Sequence, residues 1–337
     1  MLQLAPRPSL GLDFKQLDDQ AAAVIAQCTA KGPLDDLTVS EIRHHYVRSR
    51  APLLEPLVPV HSIEAVDAQI DGRRIPITIF WPLGANLTTP QRALIFFHGG
   101  GWVLGDLNTY EPLCRRLANE LGRAILFVDY RLAPENPFPA APDDSLAATL
   151  WILDNARYLG LDPKDIAIGG DSAGGNLALV TALTLRDLGR GRQLSSQLLI
   201  YPCLDLEASA PSHHRLADGY LLTRSLYLWY IRQYLPVEGL YRHWRASPAR
   251  AINLRHLPPS VIVTAGFDPL SDEGADFAQR LSDYENTCVH LHYPSLIHGF
   301  AVMTGAIQAA NGALGEITSA FRDLTQPNRQ PAILTIQ

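Results

Sequence analysis

The chain has 337 residues, 47% of them hydrophobic and 18% charged, with 28 basic against 34 acidic side chains for a net charge of −6. That composition fits a globular protein with a sizeable core, built as one large domain or two ordinary ones. There is no basic stripe for nucleic acid, no polybasic cluster for an anionic membrane surface, and no apolar run near the ~18 residues of a membrane span.

The first 20 residues lack a cationic start followed by an apolar core, so no secretory signal is expected. Residues 1–50 carry helical patterns. Strand-like runs follow at 73–82 and 92–98, the second almost wholly apolar and so expected to be buried on both faces. A helix is expected over 109–122, with apolar residues at 113, 117 and 121 and a closing glycine. Then come a buried strand at 124–130, a helix at 141–160, a strand at 166–171, a helix at 172–189, and strands at 197–205, 260–268 and 288–294. Such alternation predicts a mostly parallel sheet covered by helices on both faces. An aromatic-rich insertion at 206–250 interrupts it. An insertion after the C-terminal end of a strand lands where open α/β sheets put their sites, so a lid or cap is expected there. Cys28, Cys114, Cys203 and Cys288 lie far apart, without metal-ligand spacing, which predicts four reduced thiols in a cytoplasmic protein and no bound metal.

The sharpest local signal is Gly170-Asp171-Ser172-Ala173-Gly174, a G-x-S-x-G set between an apolar strand and a helix. A sharp strand-to-helix turn strains the serine backbone and demands small residues two positions away. Ser172 is then exposed above a helix N-terminus, as a nucleophile must be. A helix-capping serine would explain Ser172 but not the glycines on both sides. A second glycine cluster, Gly99-Gly100-Gly101, follows the buried strand 92–98. Neither cluster ends in the Gly-Lys-Ser/Thr of a phosphate loop, and neither fits the dinucleotide register.

A serine hydroxyl needs a base, itself oriented by a third group. In hydrolases with this elbow the chain order is Ser, then Asp or Glu, then His. Asp268 ends the strand 260–268 and suits the acid; Asp272, Glu273 and Asp205 compete with it. His298, in a short loop beyond the last strand, can reach back over the sheet, whereas His290 and His292 alternate inside that strand and suit structural roles.

The segments HGGGW (98–102), YRLAPENPFPA (130–140), GDSAGGNLA (170–178), DPLSDEG (268–274) and HGF (298–300) together resemble the hormone-sensitive-lipase-like α/β-hydrolases, most closely the GDSAG branch of bacterial esterases. The resemblance spans residues 70 to 320. It implies an α/β-hydrolase fold: a mostly parallel eight-stranded sheet with helices on both faces and a helical cap. The catalytic domain would comprise 51–205 and 251–337, and the cap 1–50 and 206–250. Ser172, Asp268 and His298 would be nucleophile, acid and base, and the N–H groups of Gly100, Gly101 and Ala173 the oxyanion hole. His98 would orient the glycine loop, and Arg131, Glu135, Asp143 and Asp144 would be structural. The implied reaction is hydrolysis of short- to medium-chain acyl esters, without metal or organic cofactor. Tyr220, Leu221, Leu222, Leu226, Trp229 and Tyr230 are candidate pocket walls. Relatives that pair through sheet edges make a homodimer one expectation. An amidase or peptidase on the same three residues, and a non-catalytic receptor on the same fold, are the competing readings.

Overall fold

The computed structural model describes residues 16–29, 38–70 and 72–326, with the backbone of Thr335–Ile336. Residues 1–15 and 30–37 of the expected cap, and 327–334 and 337 of the expected catalytic domain, lie outside the described residues.

Eight strands form one sheet, with a two-residue ninth strand at its edge. In chain order they are β1 (Ser62–Ile70), β2 (Arg73–Trp81), β3 (Gln91–Phe97), β4 (Ala124–Val128), β5 (Leu161–Asp171), β6 (Gln197–Ile200), β7 (Ser260–Phe267), β8 (Cys288–Ile297) and β9 (Thr335–Ile336). Their spatial order is β1-β2-β4-β3-β5-β6-β7-β8-β9. β1 and β2 pair antiparallel through a hairpin whose turn residue Gly72 has φ +74°, and β2 is antiparallel to β4; every other pair is parallel. The sequence reading has no strand at 62–70. β1 is an edge strand with only Ala68 fully buried, so it lacks the apolar run that marks the central strands.

The principal helices are α1 (Asp19–Thr29), α2 (Val39–Arg50), α3 (Leu107–Leu121), α4 (Ala140–Asp154), α5 (Ala173–Asp187), α6 (Ser212–Arg215), α7 (Arg224–Tyr234), α8 (Ser271–Asp283) and α9 (Gln308–Leu324). The period of two along β3 sorts its side chains between two cores. Ala93, Ile95 and Phe97 join the side packed by α4, α5 and α8, and Leu94 and Phe96 the side packed by α1, α3 and α9. Truncating a buried phenylalanine such as Phe97 should cost about 3–5 kcal/mol of stability. β6 stops at Ile200, short of the expected 205, because Tyr201 takes φ +35° and turns the chain out of the sheet.

This topology brings two loops together. β3 lies between β4 and β5, so the chain's direction of travel across the sheet reverses there. The register Phe97↔Gly170 then sets the triple-glycine loop after β3 beside the turn after β5. α2 and α7 come over this edge. Thr38 caps α2 and shares a capping box with Glu41. Arg43 of α2 donates to Val103 O (2.9 Å) and Ala133 O (2.9 Å) and forms a fork with Glu135 at 2.7 and 2.8 Å. Arg131 makes a comparable fork with the buried Asp144, which also takes Arg73, and Asp143 pairs with Arg245.

Candidate active site

Ser172 sits at φ +53°, ψ −118°, a region L-residues avoid, and opens directly into α5. The flanking glycines make that turn possible. A Cβ on Gly170 would be driven into Phe97 O and the Gly174 carbonyl, and one on Gly174 into Phe97 O. β3 and the turn after β5 therefore touch through bare backbone.

His298 follows β8, and its Nε2 lies 2.9 Å from Ser172 Oγ. Its Nδ1 lies 2.7 Å from Asp268 Oδ2, beyond the end of β7. Asp268 is fully buried, and its other oxygen accepts the Leu270 N–H at 2.9 Å. The three side chains named from sequence are thus in continuous contact. The competing acids go elsewhere: Asp272 pairs with Arg215, Asp205 accepts the Ser209 hydroxyl, and Glu273 meets the buried His213 at 3.0 Å. His290 and His292 both contact Thr264 Oγ1 on β7 and do not enter the site.

Gly100 and Gly101 have φ +108° and +61°, and Trp102 continues at +62°. Among the described residues no acceptor takes the N–H of Gly100 or Gly101. Ala173 is the first residue of α5, where an N–H has no acceptor inside the helix. These donors flank the serine, and the helix dipole adds positive potential. The loop is held from behind. Asp171 and Tyr110 both accept the Gly99 N–H, at 2.8 and 2.9 Å, and Trp102 stacks on Tyr234 at 4.2 Å. His98 is fully buried between Phe127 and Tyr130, with Nδ1 2.8 Å from Gly99 O. Burial pulls its pKa down to about 4, so the ring is neutral at pH 7 and Nδ1 donates to that carbonyl. Burial pushes the Asp171 carboxyl up to about 6, against the two donors that favour its charge.

The cleft above Ser172 is narrow, with a cavity volume of about 70 Å3, and opens to solvent. Of the candidate walls, Leu221, Leu222, Leu226 and Tyr230 line it. Tyr220 and Trp229 do not: Tyr220 packs on Phe267, 5.1 Å between ring centroids, and Trp229 is buried behind Tyr230. Leu226 and Tyr230 are four residues apart and share a helix face that Trp229 cannot share. The sequence reading lacked Tyr46, Arg50, Tyr227 and Val302, which also line the cleft. Tyr46 and Arg50 come from α2, whose local pattern carries no sign of its docking partner. Among the described residues there is no cluster of three or more His, Cys, Asp or Glu side chains able to hold a metal, and no helix long and apolar enough to cross a membrane.

A sheet reversed at β3, a strained serine on an elbow and a histidine–carboxylate pair beside it define the α/β-hydrolase class. A family model for the alpha/beta hydrolase fold matches residues 94–302. The chain is 38% identical over 272 residues to esterase LipI of Mycobacterium tuberculosis, covering 79% of this chain and 84% of the relative. It is 33% identical over 294 residues to an ethyl acetate hydrolase of Pseudomonas putida, covering 86% and 92%. The structure of a hyperthermophilic esterase from Pyrobaculum calidifontis superposes with a TM-score of 0.85 at 34% identity, covering 92% of this chain and 99% of that one. The chain belongs to the hormone-sensitive-lipase-like α/β-hydrolases.

Proposed function

We propose that this protein is a serine carboxylesterase acting on short- to medium-chain acyl esters through Ser172, His298 and Asp268. The observation that carries the reading is the contact relay from Ser172 Oγ to His298 Nε2 (2.9 Å) and from His298 Nδ1 to Asp268 Oδ2 (2.7 Å). His298 takes the hydroxyl proton as Ser172 attacks the acyl carbonyl, and Asp268 holds the ring in the required tautomer and stabilises its charged form. Negative charge on the carbonyl oxygen meets the N–H groups of Gly100, Gly101 and Ala173. One such donor contributes on the order of 3 kcal/mol to the transition state. His298 returns the proton to the leaving alcohol, and water, deprotonated by the same ring, cleaves the acyl-enzyme.

The names of the relatives support ester rather than amide chemistry. The apolar walls Leu221, Leu222, Leu226 and Val302 suit an aliphatic acyl chain. Segments 1–50 and 206–250 act as the cap that confines it, a reading supported by α2 and α7 lying over the serine. The proposal includes a cytoplasmic location, which accords with four free thiols, three of them buried. It also includes a homodimer joined through a sheet edge, measurable by sedimentation velocity.

The test is a series of p-nitrophenyl acetate, butyrate and octanoate against matched p-nitroanilides, run on wild type and Ser172→Ala. Ester turnover that falls by about 10³-fold or more in the variant supports the reading. Faster cleavage of the anilides would make the protein an amidase, and unchanged activity in Ser172→Ala would remove the site.

A further inference from the structure

The cleft holds one more charged group than ester hydrolysis uses. Arg50, the last residue of α2, lines it together with Tyr46, Leu226 and Tyr230. Its nearest partners are soft. The guanidinium carbon lies 5.1 Å from the Tyr46 ring centroid, and Nη1 lies 3.8 Å from Cys28 Sγ. Among the described residues no carboxylate pairs with Arg50, and its Nε is buried without a hydrogen-bond partner. Arg43, two turns earlier on the same helix, is by contrast saturated by Glu135 and two carbonyls.

Among the described residues, the only carboxylate lining the cleft is Asp171, and both its oxygens are engaged, one by the Gly99 N–H and the other by the Tyr110 hydroxyl. Among the described residues, Arg50 therefore faces the serine's cleft as a permanent cation without a counter-charge. A partly desolvated guanidinium is disfavoured until an anion meets it, and its planar fork matches a carboxylate with two parallel N–H donors. Tyr46, Leu226 and Tyr230, which line the cleft with it, carry no negative charge to repel an anion.

Resting on the esterase reading above, we propose that Arg50 is a specificity-determining residue that binds a carboxylate carried by the substrate. The preferred substrates are then anionic esters: mono-alkyl esters of short dicarboxylic acids, or acyl esters of hydroxy acids. The first class puts the charge on the acyl side and the second on the alcohol side, and the cleft is open to either.

The experiment compares kcat/KM in a pH-stat at pH 8 for monoethyl glutarate against ethyl butyrate, and for 3-acetoxypropionate against propyl acetate. Wild type, Arg50→Met and Arg50→Lys are measured in parallel. The expected result is that wild type prefers the anionic member of at least one pair. That anionic-to-neutral ratio falls about tenfold to a hundredfold in Arg50→Met, mainly through KM, and partly recovers in Arg50→Lys. The pair that responds identifies the side on which the carboxylate sits. Glutarate should also inhibit wild-type hydrolysis of ethyl butyrate competitively and more strongly than butyrate does, a readout that needs no variant. Neutral esters hydrolysed with no anionic preference, and no stronger inhibition by glutarate, would overturn the role of Arg50 while leaving the esterase reading intact. Hydrolysis of none of the four esters would overturn the esterase reading, and this inference with it.

Discussion

Asp171 Oδ1 accepts the Gly99 N–H at 2.8 Å, so the residue just before the elbow serine grips the first glycine of the loop beside it. Tyr110 closes the ring, donating its hydroxyl to Asp171 Oδ2 at 3.0 Å while accepting the same N–H at 2.9 Å. Both carboxylate oxygens are engaged within the protein, so Asp171 fixes the distance between two backbone segments. Asp171→Ala should lower kcat by roughly tenfold with little change in KM, because donor placement is felt most in the transition state. Asp171→Asn keeps an acceptor for Gly99 and should retain most of kcat. Steady-state kinetics of the two variants on p-nitrophenyl butyrate check the pair. Equal losses in both would show that charge, and not placement, is what Asp171 supplies.

The two buried groups beside Gly99 titrate in opposite directions. Asp171 is pushed up from 3.8 to about 6, so over that window the folded chain holds a proton the unfolded chain has released, and stability falls as pH rises. His98 is pulled down from 6.5 to about 4, so the unfolded chain binds the extra proton and stability rises with pH. His290, also held down to about 4 by burial, adds to the second slope. Wild-type stability should therefore rise less between pH 4.5 and 6 than that of Asp171→Asn, which lacks the opposing slope of this carboxyl. The two slopes should differ by up to about 1.4 kcal/mol per pH unit, read from urea midpoints. Parallel slopes would show that Asp171 titrates near its ordinary value.

Gly101 is constrained from above. A Cβ there would fall within the Tyr230 ring, and its φ of +61° already disfavours any L side chain. Gly101→Ala should lower kcat by about 10²-fold, the scale of one displaced donor, while the cores away from the loop stay packed. Adding Tyr230→Ala should restore part of the loss by clearing the space. If the double variant is no better than the single one, backbone strain rather than the ring sets the requirement.

Glu273 anchors the chain as it leaves β6. Its Oε1 accepts the Leu204 N–H at 2.6 Å, and its Oε2 meets His213 Nε2 at 3.0 Å in a pair with almost no exposure. Glu273→Ala strands both partners in the core and should destabilise the fold by about 3 kcal/mol, seen as a lower urea midpoint. Glu273→Gln, which keeps the acceptor for Leu204, should lose less.

The centre of the molecule was legible because its constraints are local or steric. Apolar runs marked β3, β4, β5 and β7, and glycines flanked Ser172 because β3 lies against that turn. Asp268 and His298 could be named because each follows a strand, at the sheet edge where elbow hydrolases collect their side chains. What could not be read depends on docking. β1 is half solvated, so its alternation is weak, although the Asp71-Gly72 pair before β2 is a hairpin signal. Tyr220 and Trp229 have the same composition as true wall residues, and only the angle at which α7 lies on the core separates them. Tyr46 and Arg50 gain their meaning from sharing a cleft with Tyr230, some 180 residues away along the chain. Asp171 was in plain view inside the motif, yet its partner Gly99 lies on another strand's loop.

The Arg43–Glu135 fork gives this chain's architecture a modular character. α2 carries two walls of the cleft, Tyr46 and Arg50, and is fastened beside the glycine loop by Arg43, with Ile42 buried in the core beneath it. Part of the cleft wall and the three side chains in contact at Ser172 thus lie in separate stretches of the sequence, tied together by that fork. Replacing residues 38–50 should therefore change two walls of the cleft while leaving Ser172, His298 and Asp268 in contact.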